Sequence, residues 1–250
     1  LFDECEVTIE LTFRNQRVNG APIEARTSLS HWSNESGSPR LTQWSCTQFP
    51  HTARDTIAAA CGVDKEAVRV VTPEVGGGFG AKSGGYPEDI VVALAARHID
   101  RPVHWAETRT ESMLGLAHGR AAEFTTTLGG SRDGKLLAYR LDWLQDAGAY
   151  PVSGAVLPMV GSWMSTGVYD IPAVEFSSAS VMTNTVPVGA YRGAGRPEAT
   201  HAIGLKTIFH KVAQKPGKPL LCASDGQTLL LGLPGNPAAV FVTFCMVARP

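Results

Sequence analysis

The 250-residue sequence has no surplus of positive charge: 22 Lys and Arg stand against 23 Asp and Glu, a formal net charge of -1. A nucleic-acid binder normally carries a basic excess to meet phosphates, so the balance argues against that class. No apolar run reaches the ~20 residues that cross a bilayer. The opening Leu1-Phe2-Asp3-Glu4-Cys5-Glu6 is acidic and lacks a basic n-region, so no signal peptide is expected, and without an initiator Met the chain is expected to be a fragment. The five cysteines, Cys5, Cys46, Cys61, Cys222 and Cys245, are scattered and show no C-x-x-C pair. That excludes a disulfide framework and an iron–sulfur ligand set. It fits a reducing, cytoplasmic setting, with the cysteines as small buried apolar residues or single reactive thiols. The seven histidines form no ligand spacing, so no protein-bound metal is expected. Charged residues are sparse, at 18% against 44% hydrophobic, which excludes a disordered polar chain.

What is abundant is glycine (26) and proline (16), which points to turns, tight loops and β structure, not a helical bundle. The length suits one large domain or two small ones. Residues 5–13 alternate apolar and polar with Val7, Ile9 and Leu11 on one face, predicting a strand. A polar loop at 33–40 precedes a second strand at 41–47. Ala53, Ile57, Ala60 and Cys61 then recur at helical spacing, and Gly62 supplies a stop. A short strand at 68–71 ends at Pro73. Pro87, followed by Glu88 and Asp89, starts a helix to about His98 that is apolar nearly all round and therefore expected to be buried. Residues 122–128 and 135–145 predict a β-hairpin turning at Asp133-Gly134, with Phe124, Thr126 and Leu128 alternating on one strand and Leu137, Tyr139, Leu141 and Trp143 on the other. Near Gly204 the texture changes. Residues 206–219 are basic, two short β-like runs follow, and residues 238–248 form an apolar, helix-like tail.

Four places carry candidate chemistry. Gly76-Gly77-Gly78-Phe79-Gly80 after a strand admits three readings: a dinucleotide fingerprint, a plain tight loop, or a loop whose backbone N–H groups approach an anionic or oxo-bearing cofactor. Pro73 and the missing second strand before Asp100 weigh against the first. Gly189-Ala190-Tyr191-Arg192-Gly193-Ala194-Gly195-Arg196-Pro197 is either a solvated surface loop or a pair of guanidinium forks for an oxyanion. Gly232-Leu233-Pro234-Gly235-Asn236-Pro237 is either turn chemistry or an anion site at a helix N-terminus. Gln48, between a strand and a helix, is either an ordinary loop residue or an amide presented to a pterin-like ring.

Three of these places, taken with their surroundings, resemble a known family. Ser45-Cys46-Thr47-Gln48, then Val68-Arg69-Val70-Val71-Thr72-Pro73-Glu74-Val75-Gly76-Gly77-Gly78-Phe79-Gly80-Ala81-Lys82, then residues 183–199 resemble the molybdenum-binding large subunit of the xanthine oxidase / aldehyde oxidoreductase / carbon monoxide dehydrogenase family, over residues 1–203. The resemblance implies an oxidoreductase that hydroxylates an aldehyde or N-heterocycle with water as oxygen source. Its cofactor would be molybdenum-molybdopterin in the cytosine dinucleotide form, with iron–sulfur and FAD groups on small and medium partner subunits. It places Gln48 and Phe79, with Gly77, Gly78 and Gly80, beside the cofactor, and Arg192 facing a small-molecule substrate. Gly193 stands where carbon monoxide dehydrogenases carry a copper-binding cysteine, and Ser83 where purine oxidases carry an acid, so neither a copper bridge nor xanthine is expected. The segment bearing the family's catalytic glutamate is not found, so the chain alone is expected to show no hydroxylase turnover.

Residues 205–250 resemble a different protein, the end of molybdopterin molybdenumtransferase, which makes Pro234, Gly235 and Asn236 candidate cofactor-binding residues. The alternatives are therefore molybdenum insertion during cofactor biosynthesis, or an inactive cofactor-binding remnant. The expected fold is α+β, with mixed sheets and packed helices, plus a small C-terminal strand-turn-helix unit. Because the family switch falls near Gly204, limited proteolysis is expected to cut first at residues 203–207, releasing residues 1–203 from 205–250; uniform resistance there with a single cooperative melt would contradict the division.

Overall fold

A computed structural model describes residues 1–34, 37–167, 169–202, 206–210, 221–224 and 229–232. In chain order these form β1 (Val7–Asn15), β2 (Thr27–Ser33), β3 (Arg40–Ser45), α1 (Pro50–Cys61), β4 (Val68–Val71), α2 (Pro87–Ile99), β5 (Val103–Ala106), α3 (Arg109–Gly115), β6 (Ala122–Gly130), β7 (Leu136–Gly148), α4 (Leu157–Ser162), β8 (Ala173–Met182), α5 (Arg196–Ala202), β9 (Lys206–His210), β10 (Leu221–Ser224) and β11 (Leu229–Gly232). The fold is α+β with mixed sheets, as the sequence predicts.

The first sheet has the order β4-β3-β2-β5, with β3 and β4 parallel and the other pairs antiparallel. Helices α1 and α2 pack on it. Pro50 occupies the first turn of α1, where its missing N–H costs nothing. Gly62 ends the helix at φ 64, a left-handed cap whose N–H reaches the carbonyls of Ala58 and Ala59. Leu41, Ala53, Ile57, Ala58, Cys61, Val68 and Ala93 form the core between helices and sheet. Ala60, one of the residues at helical spacing, points to solvent, and Ala58 packs in its place.

Helix α2 corrects an expectation. Only Asp89, Val92, Ala93 and Ala96 are buried, whereas Val91 is 62% and Leu94 42% exposed. A helix apolar all round carries no signal of which face is covered. Here the side turned to β2, β5 and α1 is covered, and the opposite side is not.

The second sheet has the order β1-β6-β7-β8. The hairpin β6–β7 pairs Phe124 with Trp143 and Leu128 with Tyr139, and its turn uses Gly134 at φ 91. One sheet face carries a row of rings: Phe13 to Phe124 at 5.4 Å, Phe124 to Trp143 at 4.8 Å and Trp143 to Phe176 at 6.4 Å between centroids. Tyr139, Leu141, Ile171 and Ala202 complete this core. Strand β1 forms as predicted, but its apolar row is uncovered: Ile9 is 56% and Leu11 61% exposed.

The described part of residues 206–232 is a three-stranded antiparallel sheet of order β11-β10-β9. Strands β10 and β11 are the two β-like runs; β9 falls in the stretch read only as basic. Pro234, Gly235 and Asn236 and the helix-like tail lie outside the described residues.

Packing separates residues of like chemistry. Phe124→Ala, at a fully buried ring, should cost about 3–5 kcal/mol. Leu11→Ala, on the same sheet face at the open edge, should cost under about 1 kcal/mol. Urea unfolding midpoints of the two variants check both values.

Candidate functional site

Parallel strands end at the same edge of a sheet, so the loops that follow β3 and β4 emerge side by side. The first carries Thr47 and Gln48, the second the glycine cluster. The Gln48 N–H donates to the Lys82 carbonyl (2.9 Å), and the Thr47 hydroxyl donates to the same oxygen (3.2 Å). The Gly80 N–H donates to Gln48 Oε1 (2.9 Å), which leaves the amide Nε2 of Gln48 without a partner among the described residues.

The third segment comes from the other sheet. The Arg192 N–H donates to the Phe79 carbonyl (2.9 Å), and the Arg192 guanidinium lies 5.7 Å from the centre of the Phe79 ring. Gln48, Gly77, Gly78, Phe79, Gly80 and Arg192, separated by up to 144 positions in the chain, thus meet at one place. Two absent side chains permit it. A Cβ on Gly78 would run into the Gln48 side chain, and a Cβ on Gly80 into the Ala190 carbonyl. Gly80 also has φ 94, which a larger residue would hold only under strain.

The dinucleotide reading fails here. No helix begins at the glycine loop; it closes as a turn, with the Ala81 N–H on the Gly78 carbonyl (2.8 Å), and α2 starts only at Pro87. The loop instead presents itself. Phe79 takes a left-handed φ of 53, uncommon for a non-glycine residue, and its ring is 38% exposed. The N–H groups of Gly77, Gly78 and Phe79 have no acceptor among the described residues, and the Arg192 guanidinium has no carboxylate there. Open backbone donors, a free amide and an unpaired guanidinium around a ring make a donor-rich surface suited to oxygen-bearing groups. No group of three or more His, Cys, Asp or Glu side chains that could hold a metal occurs among the described residues.

Buried charge braces the loop from beneath. Lys82, 1% exposed at its side chain, donates to Glu24 Oε2 (2.7 Å), and the Gly76 N–H donates to the same oxygen (2.8 Å). The Ser83 hydroxyl donates to the Gly80 carbonyl (2.5 Å), so the residue standing at the purine-oxidase acid position serves as a brace. Behind these lies Arg26, buried against Glu107, paired with Glu88 (3.0 Å) and stacked on the Tyr86 ring at 4.0 Å. Sequence reasoning did not find Lys82–Glu24 or Arg26–Glu107. Each partner is an ordinary charged residue until folding buries it.

The fold and site together define a cofactor-binding domain of the α+β class. Over residues 1–220 the chain matches the molybdopterin cofactor-binding domain family, and it belongs to that family. It is 34% identical over 221 residues to the nicotine 6-hydroxylase large subunit of Paenarthrobacter nicotinovorans, covering 86% of this chain and 26% of that protein. It is 32% identical over 206 residues to the carbon monoxide dehydrogenase large chain of Afipia carboxidovorans, covering 81% and 25%. Among solved structures it resembles quinoline 2-oxidoreductase from Pseudomonas putida 86 (TM-score 0.76, 33% identity, 81% of this chain and 26% of that one). It also resembles the aldehyde oxidoreductase of Desulfovibrio gigas (TM-score 0.75, 28% identity, 80% and 22%). The chain spans about a quarter of the length of these proteins.

The Lys82–Glu24 brace has a pH signature. Burial alone would push the Glu24 carboxyl up, but the Lys82 ammonium and the Gly76 N–H outweigh it and hold the group below its ordinary value of 4.5. A carboxyl lowered in the folded state adds stability above its unfolded pKa and loses it as pH falls through the folded value. Unfolding free energy should therefore decline below about pH 4.5, and Glu24→Gln should remove part of that decline while lowering stability at neutral pH; urea titrations across the acid range measure both.

Proposed function

We propose that this chain forms one wall of the molybdopterin site of a molybdenum hydroxylase, an oxidoreductase that takes oxygen from water and acts on an aldehyde or N-heterocycle. One observation carries the reading: Gln48, the glycine loop and Arg192 converge with donors left over and no protein acceptor for them among the described residues. Family membership supplies the ligand class. The names of the relatives, a nicotine hydroxylase, a quinoline oxidoreductase and an aldehyde oxidoreductase, support the reaction class.

Bound molybdenum-molybdopterin would supply the two-electron redox chemistry. This chain's residues would hold and orient it. Gln48 Nε2 would donate to an acceptor on the cofactor while Oε1 stays on Gly80. The N–H groups of Gly77, Gly78 and Phe79 would face its oxygen-bearing side. The Phe79 ring, pushed outward by its left-handed backbone, would exclude water from one side. Arg192, stacked on that ring, would place a fixed positive charge where substrate arrives, ready to stabilise negative charge developing on it. We further read the cofactor as the cytosine dinucleotide form, and the partners as an iron–sulfur small subunit and an FAD-binding medium subunit. Carbon monoxide and xanthine fit less well as substrates, since Gly193 and Ser83 occupy the positions where the resemblance calls for a cysteine and an acid. The cytoplasm is the proposed site of action; no helix among the described residues is long and apolar enough to cross a membrane.

Cofactor content tests the reading directly. Phe79→Ala and Gln48→Ala should each lower the pterin and molybdenum retained on purification by about 10-fold, the equivalent of one lost hydrogen bond or ring contact. Cys61→Ala, a change inside the α1 core, should leave retention unchanged. Equal cofactor content in all three variants, or none in the unmodified chain, would sink the assignment.

A further inference from the structure

Arg120 is a buried cation in none of the sequence motifs, and its backbone is strained. Arg120 (φ 62) and Ala121 (φ 60) are consecutive non-glycine residues in the left-handed region. Such conformations persist only where the surroundings over-determine them. Gln145 does so here. The two hydrogens of its buried Nε2 are shared among the carbonyls of Arg120 (2.8 Å), Ala121 (3.2 Å) and Asp146 (2.9 Å), and its Oε1 accepts from the Trp143 indole (3.0 Å). The kink is thereby tied to the aromatic core of the second sheet.

The side chain of Arg120 spends its fork on the loop that carries Arg192. Nη1 donates to the Tyr191 carbonyl (2.9 Å) and to Glu198 Oε1 (2.7 Å), and Nη2 donates to the Arg192 carbonyl (3.0 Å). The guanidinium also lies 5.0 Å from the Tyr191 ring. Glu198, 1% exposed at its side chain, uses its second oxygen to accept the Gly195 N–H (2.9 Å). Arg192 is therefore gripped on both sides: its carbonyl by Arg120, its N–H by the Phe79 carbonyl. We propose that Arg120 and Glu198 are positioning residues that hold the Arg192 guanidinium over the Phe79 ring. This role rests on the reading of the site given above. Through its bonds to the Tyr191 and Arg192 carbonyls the buried pair fixes the backbone from which the Arg192 side chain departs.

Trypsin provides a local readout. Between residues 141 and 205 the only cleavable bond is Arg192–Gly193, because Arg196 precedes Pro197. Arg132, in the exposed hairpin turn, is an internal reference. Two variants of the full chain separate positioning from folding. Arg120→Lys keeps a charge beside Glu198, but one ammonium cannot span both carbonyls. The double variant Arg120→Met with Glu198→Met removes both charges and leaves none buried alone. Both are expected to keep a melting temperature close to that of the unmodified chain and its cleavage rate at Arg132. Both should be cut at Arg192 about ten-fold faster, as the loop opens without its clamp. A folded variant of either kind cut at Arg192 no faster than the unmodified chain would overturn the proposal. So would loss of the fold in both, since a pair that only positions a loop is dispensable to the core. The cleavage assay needs no cofactor. Failure of the unmodified chain to take up pterin therefore overturns the functional reading alone, while the proteolysis still decides this one.

Discussion

The site depends on the absence of two β-carbons. At Gly78 the Gln48 side chain fills the space a Cβ would need, and at Gly80 the Ala190 carbonyl does. Three segments approach through these gaps: the loop after β3, the loop after β4 and the loop before α5. The Gln48, Thr47 and Gly80 hydrogen bonds join the two loops of the first sheet, and the Arg192 N–H on the Phe79 carbonyl ties them to the loop before α5. A methyl group at Gly80 would meet the Ala190 backbone and spread the loops, whereas one at Gly78 would push the Gln48 amide aside and cost its bond to Gly80. Glycine is used here for close approach and, at residue 80, for a positive φ as well.

Beneath that meeting point the structure buries charge, not apolar surface. Lys82 with Glu24 and Arg120 with Glu198 each place a cation under a site loop, and Arg26 with Glu107 lies behind them. A buried ion pair adds little net stability over a well-packed apolar pair, because both groups lose their hydration. What it adds here is direction. In the Lys82 and Arg120 pairs the carboxylate also accepts a loop N–H, and Arg120 has donors left over for loop carbonyls. Gly76 is held through Glu24 and Gly195 through Glu198, while Arg120 itself reaches the carbonyls of Tyr191 and Arg192. The apolar cores lie further away, between α1, α2 and the first sheet and along the ring row of the second. They hold the two sheets rigid enough for the loops to be placed.

Much of the local structure was legible in the residues themselves. The alternation in β1, the Gly62 stop of α1, Pro87 at the start of α2 and the Asp133-Gly134 hairpin are short-range signals of backbone preference, and all four elements form where they point. Strands β2, β5 and β8 pair with distant strands and went unread, as did the short helices α3, α4 and α5, although Thr108 and Glu111 form a capping box at α3 and Pro158 sits in the first turn of α4. The extent of burial was misread for α2, since its composition is apolar on every side and only the sheet decides which side is covered. The site motifs were individually ambiguous. The glycine cluster alone was compatible with a nucleotide loop, and Arg192 alone with a solvated surface residue.

The sequence by itself determined the α+β class, the family, and which residue types could serve a cofactor, because these depend on local pattern and on motif order along the chain. Only the tertiary structure decided that Gln48, Phe79 and Arg192 share one site and that the glycine loop closes as a turn instead of capping a helix. It alone revealed that Arg26, Lys82 and Arg120 are buried. The physical reason is the range of the interactions. Backbone preference acts over a few residues and is written in neighbours. A hydrogen bond between Arg192 and Phe79, or an ion pair between Arg120 and Glu198, joins positions far apart in the chain and exists only after the sheets have brought them together.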